Sequence, residues 1–173
     1  MQHDHSNMEH GQHMDETTLK DYLAFAGVLL GILLISLGYE GLHGGFIPVD
    51  FMRIFMGVFF LVFAVFKLLD LRGFAESYIG YDIIAKRFMP YAYAYPFLEL
   101  ALSFGFLFGI AYINFATVIV MATGSIGVIR ELLRGSKIKC ACLGTYIKLP
   151  LTTVSLVEDL VMGAMALILI FYK

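Results

Sequence analysis

Charge is what this sequence has least of. Asp, Glu, Lys and Arg together make up 15% of the chain against 60% hydrophobic residues, and the mean hydropathy is +0.81. A soluble domain is about 45–50% apolar and about 25% charged. Too few charges are present to cover a globule in water, so lipid must replace water over most of the surface. The net charge is −2, which excludes an overall basic footprint for nucleic acid. Cysteine is scarce too, and two in 173 residues exclude a disulfide framework. Also missing are a nucleophilic triad, a phosphate loop, a Rossmann glycine pattern and any internal repeat. The N-terminus lacks the basic pattern of a cleavable signal. It is hydrophilic and acidic, and the first apolar run, Tyr22 to Tyr39, is too long for a signal core, so it reads as an uncleaved span.

What is present is a succession of long apolar stretches. Residues 1–18 form a polar tail that cannot bury a core of its own. A transmembrane helical domain occupies 19–173, with spans expected at about 19–39, 49–71, 90–111, 115–133 and 152–172. The 40 or so residues from Phe88 to Ile129 contain one charge, Glu99. As a single helix they would run to roughly 60 Å, about twice the hydrocarbon thickness. They must therefore be two spans, with a turn expected around Tyr112 to Asn114. The segment 73–89 places Phe74, Tyr78, Tyr81, Ala85 and Phe88 at helical spacing among Glu76, Asp82, Lys86 and Arg87, which predicts an amphipathic interfacial helix. Asp50 and Arg53 near one end of the second span, and Lys67, Asp70 and Arg72 near the other, are expected to reach for the interfaces. The many Phe and Tyr residues suit lipid-facing packing and interfacial belts. Gly27/Gly31 and Gly105/Gly109 are small-xxx-small pairs that let helices approach closely.

Five spans put the tail, segment 73–89 and the loop 134–150 on one side, and the C-terminus on the other. Lys20, Lys67, Arg72, Lys86, Arg87, Arg130, Arg134, Lys137, Lys139 and Lys148 fall on the tail side, against Arg53 and Lys173 opposite. The positive-inside rule then sets a multi-pass protein in the cell (inner) membrane, with N-terminus and cysteine loop in the cytoplasm.

Three constellations can carry chemistry. Cys140-Ala141-Cys142 can cycle between dithiol and a strained, labile disulfide, or chelate a soft metal ion. Lys137, Lys139 and Lys148 flank the pair and favour thiolate. The plainer alternative is two small residues packed in a loop. In the tail, His3, His5, Met8, His10, His13 and Met14 are ligands suited to copper or another late transition metal, and the plainer alternative is a solvated terminus. Within the spans, Glu99, Glu158 and Asp159 are either a proton or ion site, or partners in structural ion pairs with Lys67, Arg72 or Arg130. For Asp159, the first turns of the last helix can still lie at headgroup level. His43 reads as a loop residue.

Three stretches resemble the DoxX-like membrane superfamily and, within it, the MauE branch of redox-associated proteins of methylamine utilisation. They are Arg53–Asp70, RIFMGVFFLVFAVFKLLD; Tyr93–Leu100, YAYPFLEL, with a Tyr-Pro pair before Glu99; and Lys139–Gly144, KCACLG. The likeness covers roughly 49–172. It implies an all-α fold, a four-helix membrane bundle to which this chain adds one N-terminal helix. It also implies thiol–disulfide chemistry at Cys140 and Cys142, with Glu99 at the acidic motif position, in an accessory protein rather than a stand-alone enzyme. Its partner would be a thioredoxin-like protein. The His/Met tail departs from that pattern and opens the alternative of copper or heavy-metal handling, with a metal-handling protein as partner. Neither reading involves nucleic acid.

Overall fold

The described residues form six helices: α1 (Leu19–Leu42), α2 (Pro48–Leu69), α3 (Leu71–Ile79), α4 (Met89–Leu107), α5 (Ile113–Leu133) and α6 (Leu151–Phe171). The computed structural model describes residues 19–134 and 151–172, with side chains for 22–134 and 155–172. Among the described residues there is no strand. Tyr22–Leu42, α2 and α5 are long and apolar enough to cross a bilayer. The protein is a multi-pass helical membrane protein, as its composition requires.

The helices start and stop where local chemistry directs. Pro48 opens α2, where its missing N–H costs nothing, and Asp50 in the first turn and Lys67 in the last complement the helix dipole. Asp70 then caps α3 by accepting from the backbone N–H of Gly73 at 3.0 Å, so the chain leaves the bundle axis immediately after α2. α4 ends at Leu107 in a Schellman turn. Ile110 N–H donates to Gly105 O at 2.8 Å, Gly109 N–H to Phe106 O at 3.0 Å, and Gly109 sits at φ +69°. This turn comes before the expected Tyr112–Asn114, because Gly109 supplies the left-handed residue the motif needs. Arg53 of α2 donates to the carbonyls of Phe106 and Leu107 at 3.2 and 3.3 Å, adding a cation at the negative end of α4.

α2 packs along α4 and α5 along α6, with lighter α2–α6 and α4–α5 contacts closing a four-helix bundle. α1 lies outside it, against α2. Ile32, Ser36 and Glu40, four residues apart, are its buried line, while Leu23, Leu30, Leu34 and Ile35 are exposed and so face lipid. Short connections make successive spans antiparallel. One end of the bundle therefore gathers the start of α1, the end of α2, α3, the start of α4, the end of α5 and the start of α6.

One expectation is corrected at that end. The helix expected over 73–89 is only α3, nine residues long. Asp82 breaks it, because its carboxylate accepts from the backbone N–H groups of Ile84 (2.9 Å) and Ala85 (2.7 Å) and so folds the chain into a turn. The aromatic residues divide: Phe60, Phe63, Phe74, Phe106, Tyr78, Tyr81 and Tyr95 are buried in the core, while Phe97, Phe104, Phe108, Tyr112, Phe115 and Phe171 are exposed, as lipid-facing and interfacial packing expects. Of the two expected glycine pairs, one carries a close approach: a Cβ at Gly105 would clash with the Ile113 side chain of α5. A side chain at Gly27 or Gly31 would meet nothing within 4 Å. Gly57, Gly124 and Gly127 carry further close contacts, against Leu107, Asp159 and the Tyr81 carbonyl.

Candidate functional site

The residue that organises the interior is Lys67. It lies in the last turn of α2 and is 6% exposed, so it does not reach for the interface as its position near a span end suggested. Its ammonium donates to Glu99 Oε1 of α4, and Glu99 is itself 4% exposed. The rings of Phe74 and Tyr95 lie 5.4 and 5.2 Å from Lys67 Nζ, and their faces add cation–π attraction. Pro96, one turn before Glu99, withholds the N–H that would bond the Ala92 carbonyl. Lys67 thus belongs to the Lys-Leu-x-Asp stretch and Glu99 to the Tyr-Pro stretch, which the fold brings into contact. Of the other candidate cations for the buried acids, Arg72 pairs with exposed Glu76 at 3.0 Å and Arg130 is exposed.

A cavity of about 40 Å³ opens beside this pair. α6 contributes Ser155, Glu158 and Asp159; α5 contributes Met121, Gly124 and Val128; tyrosines 78, 81 and 95 come from α3, the turn after it and α4. Glu158 and Asp159 therefore line the interior of the bundle. Asp159 packs on Gly124, where an added Cβ would stand 2.9 Å from Oδ2. Glu99 Oε2 and Glu158 Oε1 are buried without a hydrogen-bond partner. Tyr78 donates to Asp82 at 3.1 Å. Burial raises the Tyr78 and Tyr81 hydroxyls above the ordinary phenol range, reinforced by Tyr95 for the first and by Asp159 for the second. Both therefore remain protonated donors.

The same end of the bundle is closed by a second ion cluster. Glu131, at the end of α5, accepts from Lys86 at 2.5 Å and Arg134 at 3.2 Å, which fastens the 80–88 turn to the helix that leads into the cysteine loop. Gly127 lets α5 approach this turn closely: a Cβ there would be 3.1 Å from the Tyr81 carbonyl.

The family profile described as Methylamine utilisation protein MauE matches residues 45–172. The chain belongs to the MauE family. The MauE match begins after α1, so the family part is the four-helix bundle with α3, and the N-terminal helix is an addition to it. It includes Lys67, Glu99, Glu158 and Asp159, and runs through the Cys140–Cys142 loop. No curated protein and no solved structure matches the chain significantly.

Of the sequence-derived site residues, the structure describes Glu99. Cys140, Cys142, His3, His5, Met8, His10, His13 and Met14 lie outside the described residues. Among the described residues, no three His, Cys, Asp or Glu side chains are grouped to hold a metal ion. His43, four residues beyond Tyr39, stacks on its ring and bonds its carbonyl at 2.8 Å, a local turn contact. Sequence reasoning missed Asp82 and the tyrosine lining. The Tyr78/Asp82 spacing of one helical turn was the available signal for the first.

Proposed function

We propose that the protein is a membrane accessory of methylamine utilisation, in keeping with its family's description, and that Cys140 and Cys142 exchange thiol and disulfide with a thioredoxin-like partner. The observation that carries this reading is that the family match, residues 45–172, spans the Cys-x-Cys loop. Further support comes from the bundle. α5 and α6, between which the loop is strung, pack closely together, and α5 is fastened to the 80–88 turn through Glu131. In the exchange, the thiolate of one cysteine attacks a sulfur of the partner's disulfide and the partner's other sulfur leaves as thiolate. The second cysteine then displaces the mixed disulfide. The pair ends oxidised and the partner ends with two thiols; the opposite direction reverses each step. Lys137, Lys139 and Lys148 favour the attacking thiolate. Positive charge concentrated at this end supports a cytoplasmic loop under the positive-inside rule, with five spans in the inner membrane.

Replacing both cysteines by serine should abolish complementation of a deletion strain, and Cys142→Ser or Cys140→Ser alone should trap a covalent partner complex on non-reducing gels. Full complementation by the double variant would refute the reading.

A second reading is metal handling, in which the tail gathers a copper ion and the Cys-x-Cys pair receives it. The gathering of the α1 start, the α5 end and the α6 start at one end of the bundle supports it. Cu(I) titration of the purified protein separates the two readings. Metal handling requires the stoichiometry to fall both on deleting 1–18 and on removing the cysteines; no change with either variant excludes it.

A further inference from the structure

Three carboxylates and one ammonium face the cavity among the described residues: Glu99, Glu158 and Asp159 against Lys67. If all were ionised, two negative charges would stand in excess in a low-dielectric interior. An unpaired buried charge is costly, and such a group gives up its charge rather than pay in full. Lys67 is committed to Glu99 by contact. The other titratable groups facing the cavity relieve nothing. Tyr78, Tyr81 and Tyr95 are neutral donors, and nearby Asp82 has its oxygens engaged by two backbone N–H groups and the Tyr78 hydroxyl. α5 presents Met121, Gly124 and Val128, which carry no charge.

Two further observations point the same way. Glu99 Oε2, on a residue 4% exposed, and Glu158 Oε1 are acceptors in the cavity with no donor. A protonated carboxyl supplies the missing O–H, directly or through water. The cavity of about 40 Å³ has room for roughly three waters at about 10–15 Å³ each. On its other side, Asp159 borders an apolar groove between α5 and α6 lined by Val118, Ala122, Ile126, Leu160 and Gly163. An ionised carboxylate there would face hydrocarbon as well as its own neighbours.

We propose that the cavity is a proton-binding site in which Glu158 and Asp159 are each neutral and carry one proton beside the ionised Lys67–Glu99 pair, and that these protons exchange with the membrane face bearing the 135–150 loop. The cavity lies toward that face. Ser155, one turn before Glu158 on α6 and nearer the loop, is part of its lining. The site does not depend on the cysteine chemistry, so the two proposals can fail separately.

The test is infrared spectroscopy of the full-length protein in maltoside detergent near neutral pH. A carboxylic C=O band of two groups is expected. Glu158→Gln and Asp159→Asn should each remove one group's share, the double variant should abolish the band, and transfer to D₂O should shift it. The band should be the same in the cysteine-free protein. Absence of the band, or its persistence in the double variant, would overturn the proton assignment, and a band that ignores D₂O would overturn the exchange. Thermal unfolding gives a second readout. Gln and Asn copy the neutral acids, so Glu158→Gln and Asp159→Asn should melt at or above the parent while Glu99→Gln melts below it. A fall in all three would mean that the acids are ionised and paired, and would also refute the proposal.

Discussion

Lys67→Met should destabilise the bundle by about 3–5 kcal/mol, the usual consequence of removing one partner of a buried ion pair. The reason is local. Glu99 is buried and has Lys67 as the partner of its Oε1, while its Oε2 has none. Methionine preserves most of the volume of the lysine stem, so packing against Phe74 and Tyr95 survives and the loss reports the charge. Glu99→Gln should also destabilise, since it leaves the ammonium buried with only neutral partners. The double variant Lys67→Met/Glu99→Gln should recover much of the stability, because no unpaired charge remains. Thermal unfolding of the four proteins in detergent forms a double-mutant cycle. Additive losses would show that the two side chains act independently and that the pair does not organise the interior.

The second large effect is expected at Asp82→Ala. Asp82 is 1% exposed, and its carboxylate holds Ile84 N–H, Ala85 N–H and the Tyr78 hydroxyl. Alanine strips all three of their acceptor. Ala85 and Tyr78 are themselves buried, so water cannot take the place of the lost acceptor. At about 1–3 kcal/mol for each buried unsatisfied group, a total near 3 kcal/mol is expected, since the Ile84 amide is partly rescued by solvent. Asp82→Asn keeps a carbonyl oxygen for the turn and should lose only about 1 kcal/mol. The comparison by thermal melting distinguishes the turn from generic packing: equal losses for alanine and asparagine would mean that the acceptor oxygens are not what holds the 80–88 segment.

These effects separate what could be read along the chain from what could not. The Arg53–Asp70 and Tyr93–Leu100 stretches carried the family resemblance and contain Lys67 and Glu99, and Lys67 could be read along the chain either as an interfacial charge or as a partner of the buried acids. Hydropathy places a residue along a span but not around it. Whether a lysine in the last turn turns outward to headgroups or inward to a carboxylate depends on which helix lies beside it. Here the α2–α4 packing decides that. The aromatics follow the same logic. A tyrosine suits an interface and a polar cavity equally well, and only the fold of α3 back against α4 brings the Tyr78 and Tyr95 rings together, tilted at 34° with centroids 4.6 Å apart. Asp82 was hidden for another reason: apolar residues at helical spacing on both sides of it predict a continuing helix, and a side chain that competes for backbone N–H groups leaves that periodicity intact while breaking the helix.

By itself the sequence determined that this is an all-α, multi-pass membrane protein with a four-helix family core, an added N-terminal helix and a Cys-x-Cys loop before the last helix. Those features follow from length, hydropathy and motif order, which are properties of the chain taken one segment at a time. The tertiary structure alone decided that Lys67, Glu99, Glu158 and Asp159 share one cavity, because they come from three helices whose relative rotation is set by packing. Gly124 and Gly127 show the physical reason. Each leaves the room that lets a carboxylate or a carbonyl from another segment come close, and the value of that room is invisible until the partner is in place.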